Sequence, residues 1–129
     1  LLRCEMLAGM AGRYLSGIEP HIWLGAQADG VVLGFAYCEP ERITDGTYNL
    51  LAIAVEPMRQ GGGIGQMLVH AVEAAAKAMH ARLLLVETSS LPEYERTRSF
   101  YAQLGFVREA VIREFYAEGE DKVVCWKRL

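Results

Sequence analysis

The stretch Tyr48-Asn49-Leu50-Leu51-Ala52-Ile53-Ala54-Val55-Glu56-Pro57-Met58-Arg59-Gln60-Gly61-Gly62-Gly63-Ile64-Gly65-Gln66-Met67-Leu68 changes its periodicity in the middle. Its first part is a nearly continuous apolar run, the pattern of a strand buried on both faces. Pro57 stops that strand. From Ile64 the apolar residues Ile64, Leu68, Ala71, Val72, Ala75 and Met79 recur at three- and four-residue spacing, which predicts an amphipathic helix. A glycine loop therefore joins a strand to the mouth of a helix. That mouth carries unpaired backbone N–H groups and about half a positive charge, an anion site that needs no basic side chain. Glycines let the main chain approach a diphosphate closely and adopt positive φ.

Upstream of this unit, residues 2–16 place Leu2, Met6, Met10 and Tyr14 at helix-like spacing, and Glu19-Pro20 ends the segment. Ile22 to Gln27 reads as a strand, Asp29-Gly30 as a hairpin turn, and Val31 to Cys38 as the partner strand. Glu39 to Gly46 reads as a loop. Downstream, Arg82 to Val86 is a second buried strand, and Pro92 to Gln103 a helix capped by Gly105. Phe106 to Tyr116 and Val123 to Trp126 form the last hairpin around Glu118-Gly119. The order is α, β-hairpin, β, α, β, α, β-hairpin. It predicts an α/β (α+β) fold, one mixed sheet with helices on its faces.

At 129 residues the chain is expected to be one domain, 1–129, large enough to bury a core. A net charge of −3 argues against a nucleic-acid partner. No apolar run approaches the roughly 18 residues of a membrane span. Cys4, Cys38 and Cys125 are far apart and have no zinc-ligand spacing, so no metal is expected. Free thiols and no secretory leader point to a cytoplasmic protein. The chain starts Leu1-Leu2-Arg3 without methionine, so upstream residues are expected to be missing.

Spacing separates the nucleotide readings of the loop. A phosphate-binding NTPase loop needs Lys-Ser/Thr after its last glycine, whereas Gln66-Met67 follows here. A dinucleotide fold needs a third glycine, and Leu68 stands in its place. The pattern that remains, Gln60, Gly63 and Gly65, resembles the coenzyme A loop of the GNAT (GCN5-related) N-acetyltransferases. A ligand-free glycine connection is the alternative. The segment Tyr101-Ala102-Gln103-Leu104-Gly105-Phe106 is similar to a second motif of that family, in the family's order.

The resemblance implies two central parallel strands, here Tyr48–Val55 and Leu83–Thr88, that splay apart around the donor acetyl-CoA. The pantetheine arm is expected to pair with backbone at Ile53, Ala54 and Val55. The diphosphate would rest on amides of Gln60, Gly61, Gly62, Gly63, Ile64, Gly65 and Gln66, with Arg98 as a further contact. Family chains begin with an additional strand and helix, for which this sequence leaves no room, so the first strand is expected to be absent. The implied reaction is direct attack of an amine on the thioester in a ternary complex. Tyr101 matches the family's tyrosine beside the sulfur and would be the general acid, a tyrosine packed at a helix end being the alternative. The N–H of Val55 would hold the oxyanion. Asn49 stands where some members carry a glutamate base and could still hold a water. Glu87 is the preferred base or amine-binding carboxylate, an ordinary salt-bridged glutamate being the alternative. Trp23, Tyr37, Tyr48 and Tyr116 are candidates for the acceptor pocket, and Glu109, Arg113 and Glu114 for its edge. The acceptor would be a small-molecule or peptide amine. An open sheet edge permits a homodimer. A non-catalytic acyl-CoA-binding module and a nucleotide-phosphate binder remain as alternative readings.

Overall fold

The protein is described here by a computed structural model covering residues 3–6 and 21–129. Its strands are β1 (Arg3–Met6), β2 (Ile22–Ala28), β3 (Val31–Pro40), β4 (Thr47–Val55), β5 (Leu83–Ser89), β6 (Val107–Ala117) and β7 (Glu120–Arg128). Two helices, α1 (Ile64–Ala78) and α2 (Glu95–Gln103), follow β4 and β5. One seven-stranded sheet holds them all in the order β1-β2-β3-β4-β5-β7-β6. Only β4 and β5 run parallel; every other pairing is antiparallel.

The expected mixed sheet is present, and the β2–β3 hairpin turns at Asp29-Gly30, both at positive φ. The N-terminus differs. Residues 3–6 form an edge strand against β2, with Arg3 opposite Gln27 and Met6 opposite Leu24. They are not helix, and the strand expected to be missing is here. A spacing of four, as in Leu2 and Met6, is a multiple of two as well as close to a helical turn. The alternation Arg3, Cys4, Glu5, Met6 suits a strand. The rest of the helix expected over 2–16 lies outside the described residues.

The core forms where α1 packs on β2, β3 and β4. Its buried stripe Ile64, Leu68, Val69, Val72 and Ala76 meets Ile22, Leu24, Ala36 and Leu50. Cys38 and Cys125 are buried free thiols that pack as small hydrophobes. No described helix is long and apolar enough to cross a membrane.

Two irregularities open the centre of the sheet. A bulge in the β3–β4 ladder lets Tyr37 face Ala52 while Cys38 faces Leu50, leaving Leu51 unmatched. The β4–β5 pairing runs only from Thr47 opposite Leu83 to Leu50 opposite Val86, although both strands continue. Beyond Leu50 the strands part. The expectation that β4 is buried throughout therefore holds for Tyr48, Asn49 and Leu50 alone, while Leu51 is 46% exposed. The second half of the apolar run lines an opening.

Candidate active site

The gap between β4 and β5 exposes one edge of β4, and the ladder pattern identifies which groups face it. Glu56 N donates to Leu33 O at 2.7 Å, making 33 and 56 a hydrogen-bonded pair. Such pairs alternate along an antiparallel ladder. Ala54 thus turns its backbone toward β3, whereas Ile53 and Val55 turn theirs into the gap. Of the three residues expected to pair with the pantetheine arm, Ile53 and Val55 turn their backbone to the gap and Ala54 does not.

Beyond β4, Pro57–Arg59 forms a 3-10 turn that Glu56 caps through Oε2 on Met58 N at 2.8 Å. Gln60 folds back and donates from Nε2 to Val55 O at 3.3 Å. Gly63 is the N-cap of α1 at φ 88°, with no side-chain cap. The usual Ser, Thr, Asp or Asn is absent at that position, so no capping side chain bonds the first amides of the helix. The first intrahelical bond is Met67 N to Gly63 O at 3.0 Å, and the amides of Ile64, Gly65 and Gln66 precede it. A Cβ at Gly65 would lie 3.2 Å from Phe100 Cζ, so a side chain there would push against α2.

Two grooves flank this region. The loop-side groove, about 640 Å3, is lined by Ile53, Ala54, Val55, Arg59, Gln60, Gly61, Gly63, Gly65, Gln66, Arg96, Thr97, Phe100 and Tyr101. The sheet-side groove, about 590 Å3, is lined by Phe35, Leu50 to Ala54, Val86 to Ser89, Tyr94, Thr97, Tyr101, Tyr116 and Glu120. Both volumes suit small-molecule ligands. Ile53, Ala54, Thr97 and Tyr101 border both, so the grooves meet there. Their charges are opposite. Among the described lining residues the loop-side groove has Arg59 and Arg96 and no carboxylate, and the sheet-side groove has Glu87 and Glu120 and no Lys or Arg.

Tyr101 is 3% exposed and packs edge-on between Phe100 and Phe106. Burial, with a smaller effect from Cys125, pushes its phenol up to about 12. It therefore stays protonated at neutral pH. Glu87 Oε2 accepts from Asn49 Nδ2 at 3.1 Å and lies 3.3 Å from Lys122 Nζ. Asn49, 2% exposed, also donates to Glu41 Oε1 at 2.9 Å. Tyr116 sits beside Glu87 and Glu120; partial burial and then those two charges raise its phenol above the ordinary value.

Not every expected residue reaches a groove. Arg98 Nη1 donates to Ser89 O at 2.5 Å and Leu91 O at 3.0 Å, tying α2 to the end of β5. It is a tether and lines neither groove. Gly62 and Ile64 also lie off the lining, and Ile64 is a core side chain. Asn49 does not line the sheet-side groove, and its amide donates to Glu87. Of the four aromatic candidates only Tyr116 lines the sheet-side groove. Tyr48 is buried, and Trp23 packs at a tilt against Tyr37, ring centroids 4.4 Å apart. Glu109, Arg113 and Glu114 lie on the exposed edge strand β6. Arg59 and Arg96 were missed, since a lone arginine carries no motif.

The sequence pattern of the acetyltransferase (GNAT) domain family matches residues 19–108. No curated protein matches the chain. A protein from Desulfovibrio desulfuricans assigned to the GNAT family is 27% identical, with TM-score 0.88 and 99% of each chain covered. A GNAT acetyltransferase from Elizabethkingia anophelis with acetyl-CoA bound shares the fold at 16% identity and TM-score 0.82, covering 99% of this chain and 98% of its own. The ribosomal-protein-S18-alanine N-acetyltransferase of Escherichia coli does so at 16% identity and TM-score 0.79, covering 99% and 94%. With the family's sequence pattern spanning residues 19–108, most of its length, this chain belongs to the GNAT acetyltransferases.

Proposed function

We propose that the chain transfers the acetyl group of acetyl-CoA to a primary amine by direct attack, both substrates being bound together. The observation that carries this reading is the meeting of two oppositely charged grooves at Ile53 and Tyr101. The loop-side groove suits an anionic coenzyme. The amides of Gly65 and Gln66 and the guanidinium groups of Arg59 and Arg96 would take the phosphates. The backbone of Ile53 and Val55 would pair with the pantetheine amides, and the thioester would then reach the junction.

The sheet-side groove suits the amine, which arrives as a cation. Glu87 would take its proton, directly or through a water, and the neutral nitrogen then attacks the carbonyl carbon. The N–H of Ile53, at the junction, is better placed for the oxyanion than that of Val55, which borders the loop-side groove alone. Tyr101 would donate a hydrogen bond to the sulfur as the C–S bond breaks. A phenol near 12 does not give up its proton outright to a thiolate whose own value is about 8.5. Its role is a donated hydrogen bond that disperses charge; as the C–S bond breaks, the new amide nitrogen gives up its second proton to solvent or to the departing thiolate.

The test is coenzyme A thiol release from acetyl-CoA with phenethylamine, spermidine and an alanine-initiated tripeptide, beside melting curves with and without acetyl-CoA. Saturation at a hundred times Kd should stabilise the fold by about 2.7 kcal/mol. An unchanged melting temperature would remove the donor site, and binding without release to any amine would remove the transfer.

A further inference from the structure

Among the described residues Lys122 is the only buried charged residue, at 9% exposure. A lysine in such a place is rare and loses hydration unless its ammonium is paired. Its Nζ lies 3.3 Å from Glu87 Oε2 and over the Phe115 ring, whose centroid is 3.9 Å away. Lys122 pairs with Ser89 across the β5–β7 ladder, and Glu87 pairs with Val124. Residues two apart share a face, so the ammonium reaches the carboxylate diagonally.

The contacts on Glu87 are lopsided. Asn49 Nδ2 and Lys122 Nζ both go to Oε2. Glu87 lines the sheet-side groove, and both of those contacts leave Oε1 untouched. The Asn49 amide cannot be reversed without setting its oxygen against Glu41 and Glu87 together, so that anchor has one orientation. Asn49 lies on β4 and Lys122 on β7, so Glu87 is gripped from both neighbouring strands. Lys122 itself lines neither groove.

We infer that Lys122 is a positioning residue for the acetyl transfer: with Asn49 it pins Glu87 Oε2 and so aims Oε1 at the acceptor amine. The Phe115 face confines the ammonium to the side of the carboxylate where this works. This inference rests on the proposed role of Glu87 as proton acceptor. Loss of the pin lets the carboxylate turn away from the groove. A misplacement of about 1 Å lowers turnover about a hundredfold.

The experiment is a double-mutant cycle of Lys122→Met and Glu87→Gln, assayed with acetyl-CoA and phenethylamine or spermidine, with a crystal structure of Lys122→Met. In the parent background Lys122→Met should lower kcat about tenfold to a hundredfold at unchanged KM for acetyl-CoA. In the Glu87→Gln background it should change nothing further, because both substitutions act through one carboxylate. The crystal structure should show the Glu87 carboxylate rotated out of the groove. Parental turnover, an equal fall in both backgrounds, or an unmoved Glu87 overturns the inference. Parental turnover in Glu87→Gln alone instead overturns the proton-acceptor reading beneath it. If Lys122→Met does not fold, the half-exposed Phe115 supplies a second variant. Phe115→Leu should lower kcat severalfold, and parental kcat with Glu87 in place overturns the inference equally.

Discussion

Tyr101 and Gly61 show how far one residue's surroundings constrain it. Tyr101 borders both grooves and keeps its proton well past neutrality. Tyr101→Phe should lower kcat about a hundredfold while acetyl-CoA still raises the melting temperature. A parental kcat would take Tyr101 out of the chemistry. Gly61 has φ 84° and open space where a Cβ would stand. Aspartate tolerates that conformation better than most residues, so Gly61→Asp should fold while placing a negative charge in the loop-side groove. KM for acetyl-CoA should rise tenfold or more, with kcat little changed. An unaltered KM would show that the phosphates lie elsewhere. Tyr101 and the glycines could be found from sequence because a motif fixes their order. Arg59 and Arg96 could not, because what qualifies them is where the loop and α2 bring their side chains.

Among the elements, β4 and α2 carry the site. The bulge at Leu51 and the end of pairing at Leu50 coincide, so one local irregularity both turns Ile53 and Val55 outward and frees the edge they occupy. An apolar run does not record where its ladder stops, which is why β4 reads as buried along its whole length. In α2, Arg98 holds the carbonyls of Ser89 and Leu91. Arg98→Ala should therefore lower stability by about 1–3 kcal/mol, seen in urea unfolding. KM for acetyl-CoA should stay near the parental value once the variant is folded. A large rise in KM without loss of stability would return Arg98 to the coenzyme. The strand β1 went unread for a different reason, since four residues are too few to tell a period of two from one near four.

At the scale of the whole molecule, burial sets the response to alkali. Cys38 is fully buried, and desolvation followed by the charge of Glu39 pushes its thiol up to about 12. Burial raises Tyr101 to about 12 as well. The unfolded chain releases these protons near 8.5 and 10, so between those values and 12 the native state holds protons the unfolded state has lost. Stability is then fully present below about pH 8.5 and falls as pH rises toward 12, by about 1.4 kcal/mol per unit for each group. Melting temperatures taken from pH 8 to 11 should decline, and Cys38→Ala should flatten the part that begins near 8.5. An unchanged slope in that variant would show that the thiol is not the group responsible.

The order of the elements after residue 21, the glycine-opened helix mouth and the tyrosine at the end of α2 were determined by the sequence alone. Each rests on local chemistry: side-chain period, the φ that glycine allows, and spacing within a motif. The tertiary structure decided what depends on distant segments meeting. The parting of β4 from β5, the opposite charges of the two grooves, and the grip of Asn49 and Lys122 on Glu87 are of this kind. Asn49, Glu87 and Lys122 are far apart in the chain and adjacent in the sheet, and strand order, which no local pattern encodes, puts them together.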